Sequence, residues 1–447
     1  MGSQLVQFTR SQTGLTALDQ VGQLCQTLFD PLPRADQRRK AELYVRGLLT
    51  ARGRKTMRNI AAHAGMPAGE QSLHHFISCS TWDWDSVREN LAVQLDGMLK
   101  LQAWVVKPMV IPKSGAHSVG VERRFDPETG HVVNGQQAYG AWAASEEASV
   151  PVSWALHLPE ETTLADCAAR AVLDIARTRA VRRLPVVVDA VEGGAELITG
   201  WLGAAEMPFM VEVSAATPLH VTDPQLPRGA GKPVTAGQIM DAAGMLRRPV
   251  RYEDRADRTV RLGFLATLQV ELPESAGAGA GGAAGVRRRP AGRGPLLLVG
   301  EWSDARRRPE RYWLTDMTGA PPAVLMRLGQ LSRRIERGAT DLSDRVGMRD
   351  FEGRSYQGWH RHVTLASVAQ ATAAMAAVAA ERMSSGYGPG YGHGYGHGSG
   401  HAYGQRPGHG GGFGDAATGF GGFGGYAAAD RRTGFADRGY AGRRRTA

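Results

Sequence analysis

Of the 53 basic residues only six are lysine (40, 55, 100, 107, 113 and 232), which leaves 47 arginines. A planar guanidinium donates two parallel hydrogen bonds to a phosphate, so the excess suits a polyanion, although Arg-favouring codon usage leaves the same composition. One cluster stands where such contacts would be useful. Arg52, Arg54, Lys55 and Arg58 lead into IAAHAG and SLHHFIS, two short helical segments joined by a Gly/Pro turn, the spacing of a helix-turn-helix. Plain helical bundles contain the same arrangement. Arg333 and Arg334 in SRRIER are further candidates for DNA contact, as is Arg361 between His360 and His362 in GWHRHVTLA. That triplet also suits phosphate or metal binding, or the anchoring of a helix. Asp189 closes the short apolar segment LPVVVD and so places a carboxylate at a strand end.

Other chemistries are poorly supplied. Cys25, Cys79 and Cys167 are odd in number and far apart, which excludes a disulfide framework and a zinc knuckle. The Gly/Ala/Arg segment 275–294 lacks the spacing and the Lys-Ser/Thr pair of a phosphate loop and reads as a flexible linker. The chain has 447 residues, enough for two or three domains, and a formal net charge of +10 that points to nucleic acid. No apolar run reaches the ~18–20 residues of a membrane span and no leader is visible, so a cytoplasmic, nucleoid-associated location is expected.

The elements that would position these residues follow from periodicity. Residues 1–34 form a lead-in and 35–100 a helical, DNA-binding region. Its first helix is capped by Asp36, with Leu43, Val45, Leu48 and Leu49 near one face, and its last is capped by Asp85 or Ser86. From Ala103 the pattern becomes strand–strand–strand–helix–strand–helix–strand, predicting a mixed sheet flanked by helices over 101–214, with its first strand broken at Lys107 and Pro108. Residues 215–312 read as a strand-rich insertion, 313–383 as returning helices, and 384–447 as a disordered Gly/Tyr/His-rich tail. In the tail, spaced Tyr and Phe could stack on bases, and His393, His397 and His401 could bind a transition metal weakly; an inert solubilising tail fits as well.

From about Asp36 to Ala380 the chain resembles a bacterial insertion-sequence DDE transposase of the branch with a strand-rich insertion ahead of the last catalytic acid. The resemblance is carried, in order, by RRKAELYVRGLL, WDWDSVREN, HSVGVERRF, NGQ at 134–136, LPVVVDAVEG, RRIER and GWHRHVTLA. It implies an RNase H-like sheet presenting three carboxylates to two divalent ions about 4 Å apart. In this frame Asp189 matches the second acid and Glu336 the third. Where the first acid belongs, after AWVV, stands Lys107, while Lys113, Gly115 and Ser118–Val121 keep the frame downstream. Gly329, Ser332 and Ser343 stand where the family usually carries Tyr, Arg and Lys, and Glu192 replaces an expected aromatic.

Lys107 removes an oxygen ligand and adds a positive charge. At ~4 Å, each pair of unit charges repels by about 4 kcal/mol at an effective dielectric near 20. Metal occupancy at Asp189 and Glu336 should therefore be weak or absent, with the Lys107 ammonium in the metal's place, paired with both acids. Glu122 and Asp126 are the alternatives for a replacement acid. The function implied is that of a transposase-derived, catalytically degenerate DNA-binding protein without metal, membrane or small-molecule ligand, dimerisation being left open. The alternatives are an active transposase using Mg²⁺ or Mn²⁺ at an unconventional site, and a decaying remnant without a role.

Overall fold

The computed structural model describes residues 22, 24–115, 117–126, 130–178, 180–189, 194–225, 232–254, 259–273, 294–304, 308–336 and 340–384. The tail from 385 onward, linker residues 275–293 and Glu192, each given a part in the sequence-based expectations, lie outside them.

After a helical stretch at 24–29 come α1 (Ala35–Thr50), α2 (Met57–His63), α3 (Glu70–Ser78) and α4 (Trp84–Met98). Polar side chains satisfy the N–H groups that a first helical turn leaves free. Thr56 accepts from the Asn59 N–H to cap α2, and Asp83 accepts from the Asp85 and Ser86 N–H groups to cap α4. The α4 cap is therefore Asp83, not Asp85 or Ser86. Asp36 does not cap α1 either: it lies in the first turn and pairs with Arg34 at 2.7 Å. The buried face of α1 holds Ala41, Tyr44, Val45 and Leu48 at helical spacing, with Leu43 and Leu49 half-buried beside it.

The sheet begins with β1 (Leu101–Pro112), β2 (Glu122–Asp126), β3 (His131–Ser145) and β4 (Ser149–Leu156). Then come α5 (Leu164–Arg177), β5 (Val186–Val188), α6 (Ala195–Ala204) and β6 (Phe209–Val213). β1 pairs antiparallel with β3, and β3 with β4. β5 runs parallel to β1, and β6 parallel to β5. This is the mixed sheet with flanking helices expected from the sequence, with β2 paired antiparallel to β3.

Lys107 and Pro108 do not break β1. The pairing with β5 ends at Val106 opposite Val188, and beyond it β1 is bonded to β3 alone. A strand with one free edge accommodates proline, which has no N–H to donate. In HSVGVERRF only Glu122–Asp126 is strand. Ahead of it Gly120 has φ of 71°, and a Cβ there would lie 2.5 Å from the His157 carbonyl oxygen, so the turn requires glycine.

Residues 215–312 supply β7 (Pro218–Val221), β8 (Val234–Thr235), α7 (Ala236–Ala242), β9 (Arg248–Asp254), β10 (Thr259–Glu271), β11 (Leu296–Trp302) and β12 (Arg311–Thr315). They extend the same sheet. β12 pairs antiparallel with β6, and the order β2-β3-β1-β5-β6-β12-β11-β10-β7-β8 runs through one 12-stranded sheet. The helices that return after β12 begin with α8 (Pro322–Arg334) and α9 (Thr340–Arg345).

The last helix, α10 (Tyr356–Ser384), is long and apolar enough to cross a membrane by length and composition, yet 67% of its apolar window is buried within the protein. The polar residues that interrupt its apolar run form an internal network. Arg88 of α4, itself buried, donates to Thr364 Oγ1 (2.8 Å), His360 Nδ1 (2.9 Å) and the Trp154 carbonyl (3.0 Å). His362 bonds the Tyr44 hydroxyl and the Gly347 carbonyl oxygen, each at 2.9 Å. Burial holds the His362 imidazole down at about 4 and that of His360 well below its ordinary value, so both rings are neutral at pH 7. Removing the Arg88 guanidinium strands three buried acceptors. Arg88→Ala is expected to cost about 3 kcal/mol of unfolding free energy in urea titrations; a change below about 1 kcal/mol would show that the network is not structural.

Candidate active site

The sheet pairing assembles a charged cluster at one end of β5. Because β1 and β5 are parallel and separate after Val106 and Val188, the Asp189 N–H donates to the Val106 carbonyl at 2.9 Å, which sets Asp189 beside Lys107. β6 follows β5 with Val211 opposite Val188, so Glu212 is one step further on. β12 lies antiparallel to β6 with Trp313 opposite Glu212, bringing Arg311 to the same place. α8 brings Ser332 in from above the sheet, and a wide turn at residues 335–336 carries Glu336 just past its end.

Lys107 Nζ lies 2.5 Å from Asp189 Oδ2 and 2.6 Å from Glu336 Oε1, and donates to Ser332 Oγ at 3.1 Å. Arg311 Nη2 lies 2.9 Å from the other Asp189 oxygen, Oδ1, and 4.0 Å from Glu336 Oε1. The same guanidinium forks onto Glu212, with Nε donating to Oε1 at 2.9 Å and Nη2 to Oε2, and sits 4.5 Å from the centre of the Trp313 ring. The side chains of Lys107, Arg311, Asp189 and Glu212 are 8%, 10%, 14% and 15% exposed, against 48% for Glu336. Two cations thus face three carboxylates, with Glu336 as the side open to solvent.

Burial by itself would raise the Asp189 carboxyl. The hydrogen bond from Glu212 and the charges of Lys107 and Arg311 outweigh it and hold Asp189 well below the usual carboxylate range. Glu212 shows the reverse balance. Burial and the shared hydrogen bond with ionised Asp189 push it up to about 7, against the pull of Arg311. Arg311 is raised above its ordinary value: burial opposes its charge, but Glu212, Asp189 and Glu336 more than compensate.

This arrangement does not fit a divalent ion. Mg²⁺ needs octahedral oxygen ligands at about 2.0–2.1 Å. The point reachable by both Asp189 and Glu336 is taken by the Lys107 ammonium, and β1 offers no acid there. Among the described residues no group of three or more His, Cys, Asp or Glu side chains is placed to hold a metal. Glu122 does not serve as a replacement, since it pairs with Arg124 and faces His157 at 3.5 Å, and Asp126 lies at the far end of β2 opposite His131.

The structure therefore brings Lys107, Asp189 and Glu336 together, and adds Arg311 and Glu212, which sequence reasoning missed. Glu212 had a readable signal, an acid inside the apolar run PFMVEVS. Gly329 and Ser332 also have structural explanations. A Cβ at 329 would lie 3.2 Å from Glu301 Oε2, and Glu301 is buried, accepting from Trp313 Nε1 (3.3 Å) and Gln330 Nε2 (3.1 Å). Ser343 donates to Gln370 Oε1 at 2.8 Å.

The seven candidates for DNA contact separate into two groups. Arg52, Arg54 and Arg58 are exposed; Arg54 pairs with Glu352 at 3.3 Å and Arg58 loosely with Glu70 at 3.6 Å. The other four make contacts within the protein. Lys55 is buried, its ammonium held by the Ala51 carbonyl. Arg361 is buried, donating to the Ile77 carbonyl at 3.0 Å and lying over Trp82 and Trp84. Arg334 donates to the carbonyls of Ser145 and Glu146, and Arg333 is bridged to Glu301 (3.3 Å) and Glu310 (3.1 Å).

Folded Glu212 binds its proton near pH 7 rather than at its ordinary 4.5, so the folded state holds that proton more tightly than the unfolded chain. Its stabilisation is complete below about pH 4.5 and is lost as pH rises to about 7. Stability should fall by on the order of 2–3 kcal/mol across this window. Glu212→Gln, which keeps a donor towards Asp189, should flatten that slope in urea titrations at stepped pH; parallel slopes for the two proteins would refute the assignment.

Residues 27–197 match the sequence model of the DDE superfamily endonuclease family. No curated protein matches the chain. Among solved structures it is similar to a piggyBac transposase synaptic complex with hairpin DNA, determined by cryo-electron microscopy, at 9% identity over 84% of this chain and 74% of that one, with a TM-score of 0.36. The matched segment runs from just before α1 into α6 and includes Lys107 and Asp189.

Proposed function

We propose that the chain is a transposase-like DNA-binding protein that does not cut DNA by metal-assisted chemistry. The observation that carries this reading is the position of Lys107 Nζ, 2.5 Å from Asp189 and 2.6 Å from Glu336, where a divalent ion would have to sit. A cation there opposes metal entry twice, by occupying the space and by neutralising the carboxylates that would attract the ion. DNA as the partner is supported by the endonuclease family match, by the net charge of +10, and by Arg52, Arg54 and Arg58, exposed where the chain enters α2. Those guanidiniums reach phosphates without any part of the buried cluster moving. The protein binds through backbone charge, with α2 and α3 presented to the duplex.

Purified protein should leave supercoiled plasmid intact with Mg²⁺ or Mn²⁺; nicking at a rate well above a metal-free control would instead mean an active transposase with an unconventional metal site. In gel shifts, affinity should fall steeply with salt. Combined Arg52→Ala, Arg54→Ala and Arg58→Ala substitution should reduce the slope of log K against log salt by about 2–3. Absence of salt-dependent binding by the wild type would identify a remnant without DNA function.

A further inference from the structure

We infer that Lys107 and Arg311 act jointly as an internal counter-ion pair in place of a two-ion centre, and that Arg311 alone would still keep divalent ions out after Lys107 was returned to an acid. The inference rests on the reading that the site does not hold metal, and it extends that reading to a residue with no other assigned part. Asp189 is shared between the two cations, Oδ2 facing Lys107 Nζ at 2.5 Å and Oδ1 facing Arg311 Nη2 at 2.9 Å. Both cations also reach the same Glu336 oxygen, at 2.6 Å and 4.0 Å. One carboxylate bridging two positive centres, with a second carboxylate closing over them, is the connectivity of a two-ion site.

Arg311 is also the better fixed of the two. Its guanidinium forks onto Glu212, lies against the Trp313 ring and is 10% exposed. A planar fork held this way does not swing aside as a lysine stem does. Changing Lys107 to Asp adds a ligand and removes one positive charge, but the Asp189 oxygen on the β12 side remains occupied by Arg311.

The test measures Mn²⁺ uptake by the full chain, using the paramagnetic resonance signal of free Mn²⁺, with thermal unfolding recorded alongside. Four proteins are compared: wild type, Lys107→Asp, Lys107→Asp with Arg311→Gln, and a triple variant that adds Glu212→Gln. The last protects against misfolding, because loss of Arg311 would otherwise leave Glu212, only 15% exposed, without its cation. Wild type should take up no Mn²⁺ and Lys107→Asp only weakly. The double variant, or the triple variant if the double does not fold, should bind at least tenfold more tightly than Lys107→Asp, with an unfolding midpoint that rises with added Mn²⁺. Equal affinity of Lys107→Asp and the Arg311 variants, at any level, would overturn the role of Arg311 and leave the metal-free reading standing. Tight Mn²⁺ binding by the wild type would overturn that reading itself.

Discussion

The ammonium of Lys107, buried between Asp189 and Glu336, is the contact on which the architecture around the site depends. Parallel pairing of β5 against β1, then β6 against β5, forces Asp189 and Glu212 to emerge side by side, and the end of α8 adds Glu336 above them. Three carboxylates so placed repel one another and cannot all remain ionised without positive charge among them. That charge can come from bound metal or from side chains. Here Lys107 and Arg311 supply it.

The source of the second cation changes the meaning of the strand-rich segment. Were 215–312 a separate insertion, it would be replaceable without consequence for the acids. Instead β12 is hydrogen-bonded to β6 and contributes Arg311, which touches Asp189 from 122 residues away in sequence. The same strand carries Trp313, whose indole N–H donates to Glu301 beneath α8, and Glu301 in turn fixes Arg333. Charge neutralisation, sheet extension and the seating of α8 are thereby one connected arrangement. Breaking a buried pair by removing one partner typically costs several kcal/mol, because the remaining charge is left without water or a partner. The proton that Glu212 keeps up to about pH 7, shared with Asp189, offsets the excess of one carboxylate over the two cations.

Much of this was legible in the sequence, and the limits have physical causes. The valines before Asp189 mark a buried strand ending in an acid, and the frame around Lys107 locates it opposite that acid. Pro108 suggested a broken strand because a proline's local effect is visible in sequence, whereas the free edge that tolerates it arises only from where β5 stops. Glu212 was conspicuous by type but had no nameable partner. Arg311 was invisible, being one of 47 arginines, with a role created by a pairing between distant strands. The same ambiguity covers Lys55 and Arg361, which are buried. A basic residue beside a helix reads alike whether it faces solvent or, as Arg361 does, lies over Trp82 and Trp84 inside the fold.

The net charge of +10 therefore overstates the positive surface available to a polyanion. Arg88, Arg311, Arg333, Arg334 and Arg361 are all engaged in internal hydrogen bonds or ion pairs, and each such guanidinium leaves a counter-charge or a carbonyl satisfied rather than a surface free. The exposed arginines ahead of α2 belong to the helical region, and the buried cluster belongs to the sheet. The two sets share no residue, so the internal pairing of Lys107 and Arg311 leaves Arg52, Arg54 and Arg58 exposed. The acids at the sheet end and the exposed arginines of the helical region therefore have separate surroundings, and a substitution in one set leaves the contacts of the other in place.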